Sequence, residues 1–227
     1  FKSFVKDKTY LANKVKDGTF TWQTLYETYD LFGPEHDFFK DDSKVDNNNE
    51  ELKFAIENNL LIIKRVDLLQ IVASSFLKSI GVSGSHGKTT TTAIISHVLY
   101  NSNLGFTCHI GGYDNVLGNL YQNGKEVFVT EVCEFNKNID SLNLDIGLCL
   151  NVDNDHLNCY ENFNQLKQTF YNYLNRCKIA VVNVDDVNLR KYSSVNKNAV
   201  TISLFYDKAD YYCKILHKDL LLFSLIF

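Results

Sequence analysis

Gly81-Val82-Ser83-Gly84-Ser85-His86-Gly87-Lys88-Thr89-Thr90 follows a short apolar run and opens a helix-like segment that continues from Thr91 to Tyr100. Strand, glycine-rich turn and helix in that order is the context a phosphate-cradling loop requires. Glycines let the backbone wrap closely enough for several N–H groups to point at one anion, and the helix adds its positive N-terminal end. Lys88 then supplies a point charge for the outer phosphates, and the Thr89 hydroxyl is placed to hold Mg2+. The general pattern G-x-x-x-x-G-K-[ST] has glycine where this chain has Val82, and extra glycines stand at Gly81 and Gly84 instead. A glycine-rich turn beside a surface lysine is the bland alternative, and the strand-before, helix-after context argues against it.

Outward from the loop, apolar strands alternate with amphipathic helices. Ser79 to Ser83 reads as the strand before the loop and Thr89 to Tyr100 as the helix after it. Val127 to Thr130 reads as a strand ending at Glu131, and Ile146 to Leu150 as another ending at Asn151. Phe163, Leu166, Phe170, Tyr173 and Leu174 fall at helical spacing between Asn162 and Cys177, and Ile179 to Val182 is again a near-continuous apolar run. Such runs separated by helices mark a parallel sheet buried on both faces. The expected fold class is therefore α/β: a P-loop-containing, mostly parallel sheet flanked by helices. Upstream, Glu51 to Ile56 has helical spacing with a stop at Asn58-Asn59, Leu60 to Ile63 reads as a short strand, and Asp67 is placed to cap a helix running to about Leu77. Residues 1–49 are the least interpretable, with a turn at Gly33-Pro34 and a polar stretch from Asp41 to Glu51.

Composition narrows the function classes. The formal net charge of −4 lacks the basic balance of a nucleic-acid binder. No apolar run approaches the ~20 residues needed to span a bilayer, so membrane insertion is not expected. The six cysteines show no C-x-x-C pair and sit in apolar segments. They read as small buried hydrophobes of a reducing compartment, and the expected location is cytoplasmic.

In open parallel sheets, ligands bind beyond the carboxyl ends of the strands. The loop, Glu131, Asn151 and Asp155-His156 all fall at such ends. Glu131 is placed to complete a Mg2+ site that keeps water and phosphate ligands; an exposed strand-end acid is the alternative, and Glu134 competes for the same role. His156, beside Asp155, can ligate a metal or contact a substrate phosphate. His86 is open between touching phosphate and merely sitting on the loop. His97 and His109 read as structural.

These residues together resemble the Mur ligases. Gly84-Ser85-His86-Gly87-Lys88-Thr89-Thr90 is similar to the family's nucleotide loop, with Ser85 where threonine is common. Glu131-Val132-Cys133-Glu134-Phe135, Asn151 through Tyr160, and Val182 through Leu189 resemble its later motifs in the same order. Val187 stands where proline is common. His86 is typical of the branch that adds L-alanine to UDP-N-acetylmuramate, where sister ligases favour asparagine. The resemblance runs from about Asn49 to Leu216, and it implies residues 78–227 as the ATP-binding central domain and residues 1–77 as the remnant of an α/β UDP-binding domain. It also implies the chemistry: ATP phosphorylates the substrate carboxylate to an acyl phosphate, and the amine of L-alanine attacks it. Lys88, Glu131, His156 and Asn151 would be the catalytic residues, and Gly84, Ser85, His86, Gly87, Lys88, Thr89 and Thr90 would bind ATP. Thr89, Glu131 and His156 would hold Mg2+.

Family members carry a further C-terminal domain, and no glycine-rich dinucleotide fingerprint precedes Asn49. The chain opens on Phe1, contains no methionine and closes on the apolar run Leu220 to Phe227. A truncated central domain is therefore expected, one that retains a phosphate-binding core without completing ligation. The alternatives are a sister ligase of the peptide-adding or folate type and a non-catalytic nucleotide-binding fragment. A P-loop kinase or GTPase is disfavoured by Val82 and by Asp155-His156.

Overall fold

The computed structural model describes residues 50–57, 65–154, 159–218 and 223–226. The chain divides into two compact units, residues 1–76 and 77–227.

The described part of the first unit is two helices, α1 (Glu50–Glu57) and α2 (Arg65–Ala73). Asp67 does not cap α2, as the sequence suggested, but lies within its first turn. A carboxylate there still faces the positive end of the helix dipole. The helix also stops short of Leu77. Beyond Ala73 the hydroxyls of Ser74 and Ser75 donate to the carbonyls of Gln70 and Val72, the competition with the helical ladder that serine offers. The strand expected at Leu60 to Ile63 lies outside the described residues.

The second unit is built on β1 (Lys78–Ser83), which runs into the loop and then α3 (Lys88–Tyr100). A hairpin follows, β2 (Phe106–Asp114) and β3 (Gly118–Gln122), and then β4 (Val127–Glu131) and a 3-10 helix (Phe135–Ser141). Next come β5 (Ile146–Cys149), α4 (Phe163–Arg176), β6 (Ile179–Asn183) and α5 (Val187–Val195). β7 (Val200–Ser203) and the short β8 (Tyr211–Tyr212) complete the sheet. The strand order is β3-β2-β4-β1-β5-β6-β7-β8. Within this sheet the β2–β3 pair alone is antiparallel among the described strands; the other neighbours run parallel. A separate hairpin pairs β9 (Lys214–Lys218) with β10 (Phe223–Ile226), so the described part of the final apolar run is a paired strand.

The expected mostly parallel α/β sheet is what forms, and burial explains why. Val127, Phe128, Val129 and Thr130 of β4 are all buried, as a central parallel strand covered on both faces requires. α3 packs against β2, β4 and β1, while α4 packs against β5, β6 and the 3-10 helix. α4 begins where Asn162 accepts a hydrogen bond from the Gln165 N–H, and it buries Leu166, Phe170, Tyr173 and Leu174. Each such side chain contributes about 1.5–3 kcal/mol by leaving water. Phe106, Cys108, Ile110, Leu117, Val127 and Val129 form a core cluster under α3.

No disulfide joins the cysteines, and Cys108, Cys149 and Cys177 are buried. Burial pushes their thiols up, that of Cys149 to about 12. No helix among the described residues is long and apolar enough to cross a membrane.

Candidate nucleotide-binding site

The order β4-β1-β5 sets the site. Because the three strands run parallel, their C-terminal ends lie side by side: Glu131 after β4, the glycine loop after β1, and Asn151 just past β5. In register, Val82 stands beside Glu131 and Ser83 beside Cys149. The ladder continues past the strands, since Leu150 N donates to Ser83 O (3.0 Å) and Val132 N to Val82 O (2.9 Å). Gly84 (φ +136°) and Gly87 (φ +82°) turn the loop through backbone conformations that a side chain disfavours. Gly87 is the N-cap of α3 and offers no side-chain hydrogen bond to it. The donors of the first turn are thereby left to an anion.

The loop is zipped to the segment after β5. Asn151 clamps His86 by its backbone: His86 N donates to Asn151 Oδ1 (2.8 Å) and Asn151 Nδ2 donates to His86 O (3.0 Å). Ser85 N donates to Asn151 O (3.1 Å), while Asp153 N donates to Ser85 Oγ (2.9 Å). The His86 side chain points away from the loop interior, to Asp153 at 3.4 Å, with both side chains exposed. The Asn154 N–H, and secondarily His86, hold the Asp153 carboxyl below the usual carboxylate range.

Lys88 lies in the loop rather than in solvent. Its Nζ donates to Gly84 O (2.6 Å) and Ser85 O (3.3 Å) and contacts both oxygens of Glu134, at 3.1 and 3.3 Å. Glu134 is fully buried. The acid that competed on paper with Glu131 for a metal is thus committed to the lysine, and its carbonyl accepts a hydrogen bond from the Tyr160 hydroxyl. Burial, together with the Glu134 charge, keeps that phenol from ionising in the ordinary range.

Thr89 and Thr90 are exposed at the start of α3. Glu131 is half-buried, and its Oε1 accepts the Gly111 N–H at 2.6 Å. Among the described residues there is no cluster of three or more His, Cys, Asp or Glu able to cage a metal. One hydroxyl and one carboxylate, both hard oxygen donors, fit a cation that completes its shell with phosphate and water, as Mg2+ does. Asp155 and His156 lie outside the described residues. Beside the loop, a cleft of about 690 Å3 is lined by His86, Asn151, Asp153, Phe163, Asp186 and Asn188, among others. Asp186 caps α5 and accepts the Val152 N–H (3.2 Å), while Asn188 donates to Val152 O (3.1 Å).

The sequence reading missed three of these features: the partner of Lys88, the Ser85–Asp153 link, and the Gly111 contact. The signal for the last was present, because Gly111-Gly112 lies 20 residues before Glu131 in the strand that pairs beside it. Nothing in the spacing identified that strand.

The Mur ligase middle domain family matches residues 82–223. The chain belongs to the Mur ligase family. UDP-N-acetylmuramate–L-alanine ligase of Clostridium tetani is 39% identical over 132 residues, covering 58% of this chain and 29% of that protein. The ligase of the same name from Clostridium acetobutylicum is 31% identical over 170 residues, covering 73% of this chain and 37% of its own length. The chain therefore spans well under half of the curated Mur ligases it matches. The crystal structure of UDP-N-acetylmuramate–alanine ligase from Thermotoga maritima superposes with a TM-score of 0.64 at 24% identity, over 76% of this chain and 39% of that one. MurF ligase from the same organism, solved in complex with ADP, gives 0.53 at 26% identity, over 68% and 40%. The Mur ligase central-domain fold expected from the loop is thus the fold of the second unit. A putative coat protein family matches residues 1–72, of which only 50–57 and 65–72 fall among the described residues.

Proposed function

We propose that this chain is the nucleotide-binding part of an ATP-dependent ligase that joins L-alanine to UDP-N-acetylmuramate in the cytoplasm. The observation that supports this most is the closed phosphate loop, with Lys88 and Thr89 at its exit and Glu131 and Asn151 at the adjacent strand ends. The curated relatives of that name supply the substrates.

In this reading the loop N–H groups and Lys88 bind the ATP phosphates, and Lys88 offsets charge on the phosphoryl group as it transfers. A substrate carboxylate oxygen attacks the γ-phosphorus, and ADP leaves. The L-alanine amine then attacks the acyl carbon, expelling phosphate and losing a proton. The residues act by positioning and charge neutralisation, which is most of what phosphoryl transfer asks of a protein. Thr89 and Glu131, with His156 as a third group, would hold Mg2+, which when bound neutralises phosphate charge. Asn151 holds the loop shut. Residues 1–77 are proposed as the remnant of the UDP-binding domain.

The test is calorimetric titration of the 227-residue chain with ADP and Mg2+. Saturable binding is expected, and Thr89→Ala should weaken it. No binding to the folded chain overturns the proposal. In a full-length version that carries the family's C-terminal domain, phosphate release dependent on both L-alanine and UDP-N-acetylmuramate assigns the branch, whereas release dependent on a peptide in place of L-alanine assigns a sister ligase.

A further inference from the structure

Gly111 and Gly112 lie in the second half of β2, beyond the last residue that pairs with β4. Both lie against groups of the nucleotide site. The Gly111 N–H donates to Glu131 Oε1 at 2.6 Å. A Cβ at position 111 would come within 2.6 and 2.7 Å of the two Glu131 oxygens and 2.8 Å of the carboxyl carbon. Those distances lie inside contact range, and the carboxylate would have to move. A Cβ at position 112 would stand 3.0 Å from the Thr89 methyl. The bare backbone of Gly111-Gly112 therefore runs tightly past two of the residues proposed to hold Mg2+, Glu131 and Thr89.

From this geometry we infer that Gly111 is a positioning residue: its N–H fixes one oxygen of Glu131 and its missing side chain leaves room for the carboxylate, so that Oε2 is presented to the cation. The inference rests on the metal role proposed for Glu131. Among the described residues Oε2 has no hydrogen-bond partner, whereas Oε1 is taken by Gly111. One oxygen is tethered and the other is available, which is the arrangement of a ligand that binds through a single oxygen. Thr89 is exposed, and the absent side chain at 112 leaves space beside its methyl. Outer groups that orient a metal-binding carboxylate in this way are worth about 10–100-fold in metal affinity.

The experiment is a Mg2+ titration of fluorescent N-methylanthraniloyl-ADP binding to the full chain, with the thermal midpoint and Mg2+-free ADP affinity measured in parallel. Gly111→Ala should raise the Mg2+ concentration at half-effect about tenfold, with the midpoint and the Mg2+-free affinity held. Glu131→Gln should do the same, and Gly111→Ala combined with Glu131→Gln should be no worse than Glu131→Gln alone. Glu131→Asp supplies a readout free of any clash. Its carboxylate is one methylene too short to keep the Gly111 N–H, so it too should raise the Mg2+ requirement. If Glu131→Gln leaves the Mg2+ dependence unchanged, the metal reading of Glu131 fails. If Glu131→Gln shifts it while Gly111→Ala or Glu131→Asp does not, the positioning role alone is overturned. It is overturned as well if Gly111→Ala weakens Mg2+-free ADP binding as much as Mg2+-dependent binding.

Discussion

Lys88 Nζ and the Glu134 carboxylate lie 3.1 Å apart, with the lysine side chain 14% exposed and the glutamate 1%. A lysine usually written as a probe of phosphate binding is here also the counter-ion of a buried acid. Replacing it does more than remove a ligand contact.

Lys88→Met should therefore destabilise the second unit by about 3–5 kcal/mol, the usual consequence of leaving a buried charge without its partner. Lys88→Met with Glu134→Gln should recover most of that loss while still failing to bind nucleotide normally. Urea unfolding of the wild type and the two variants decides it. Equal midpoints for wild type and Lys88→Met would show that the pair carries no net stability.

Asn151→Ala removes both hydrogen bonds that hold the His86 backbone. At about 0.5–1.5 kcal/mol each, their loss should weaken ADP binding by roughly tenfold or more. Asn151→Asp should be worse than alanine. It can still accept the His86 N–H, but its second oxygen faces the His86 carbonyl and adds a negative charge beside the phosphates. Fluorescent ADP titration checks the ranking, and an aspartate variant that binds as well as wild type contradicts it.

Asp114 ties the β2–β3 turn to α3. Its Oδ1 accepts the N–H groups of Val116 and Leu117, and Oδ2 meets His97 Nε2 at 2.9 Å. The Leu117 N–H, then His97, then the Val116 N–H hold its carboxyl down at about 2, below its ordinary value of 3.8. A depressed carboxylate adds stability that is complete above its unfolded value and lost as pH falls through its folded one. The contribution should thus fade between pH 3.8 and about 2. Asp114→Asn should flatten that part of the stability–pH profile. A wild-type profile unchanged by the substitution would remove the turn from the acid response.

The thiols should divide by burial. Cys108, Cys149 and Cys177 should resist Ellman's reagent in the folded protein, because the reagent needs an accessible thiolate and burial suppresses it. The half-buried Cys133, Cys159 and Cys213 should react first. Mapping the modified peptides by mass spectrometry tests the order.

Of the parallel strands, β1, β4 and β5 were legible because each is an apolar run with a chemically marked end, and β6 as an apolar run alone; β7 and β8 were not read. β1 carries the glycines, β4 ends in Glu131, and β5 leads to Asn151. α4 was legible to within a residue because Asn162 caps it and its apolar side chains keep helical spacing. The β2–β3 hairpin was not, since glycines and a register shift between His109 and Asp114 break the alternation that marks a strand. α5 was missed although Asp186 caps it, because only Leu189 and Tyr192 of its residues are buried. In the site, types and positions could be read but pairings could not. Glu134 and Glu131 look alike in sequence, and only the turn into the 3-10 helix sends one inward to Lys88 and leaves the other at the rim.

The Asn151–His86 clamp joins residues 65 apart in the chain. The motif itself is local, yet its working shape waits for a distant strand. A growing or refolding chain acquires the glycines, Lys88 and α3 long before β5 arrives to pin the loop. Closure of so long a connection is slow compared with helix formation. Anion affinity should therefore appear late in refolding, with docking of β5 and not with the helix signal, making the phosphate loop a reporter of the completed sheet.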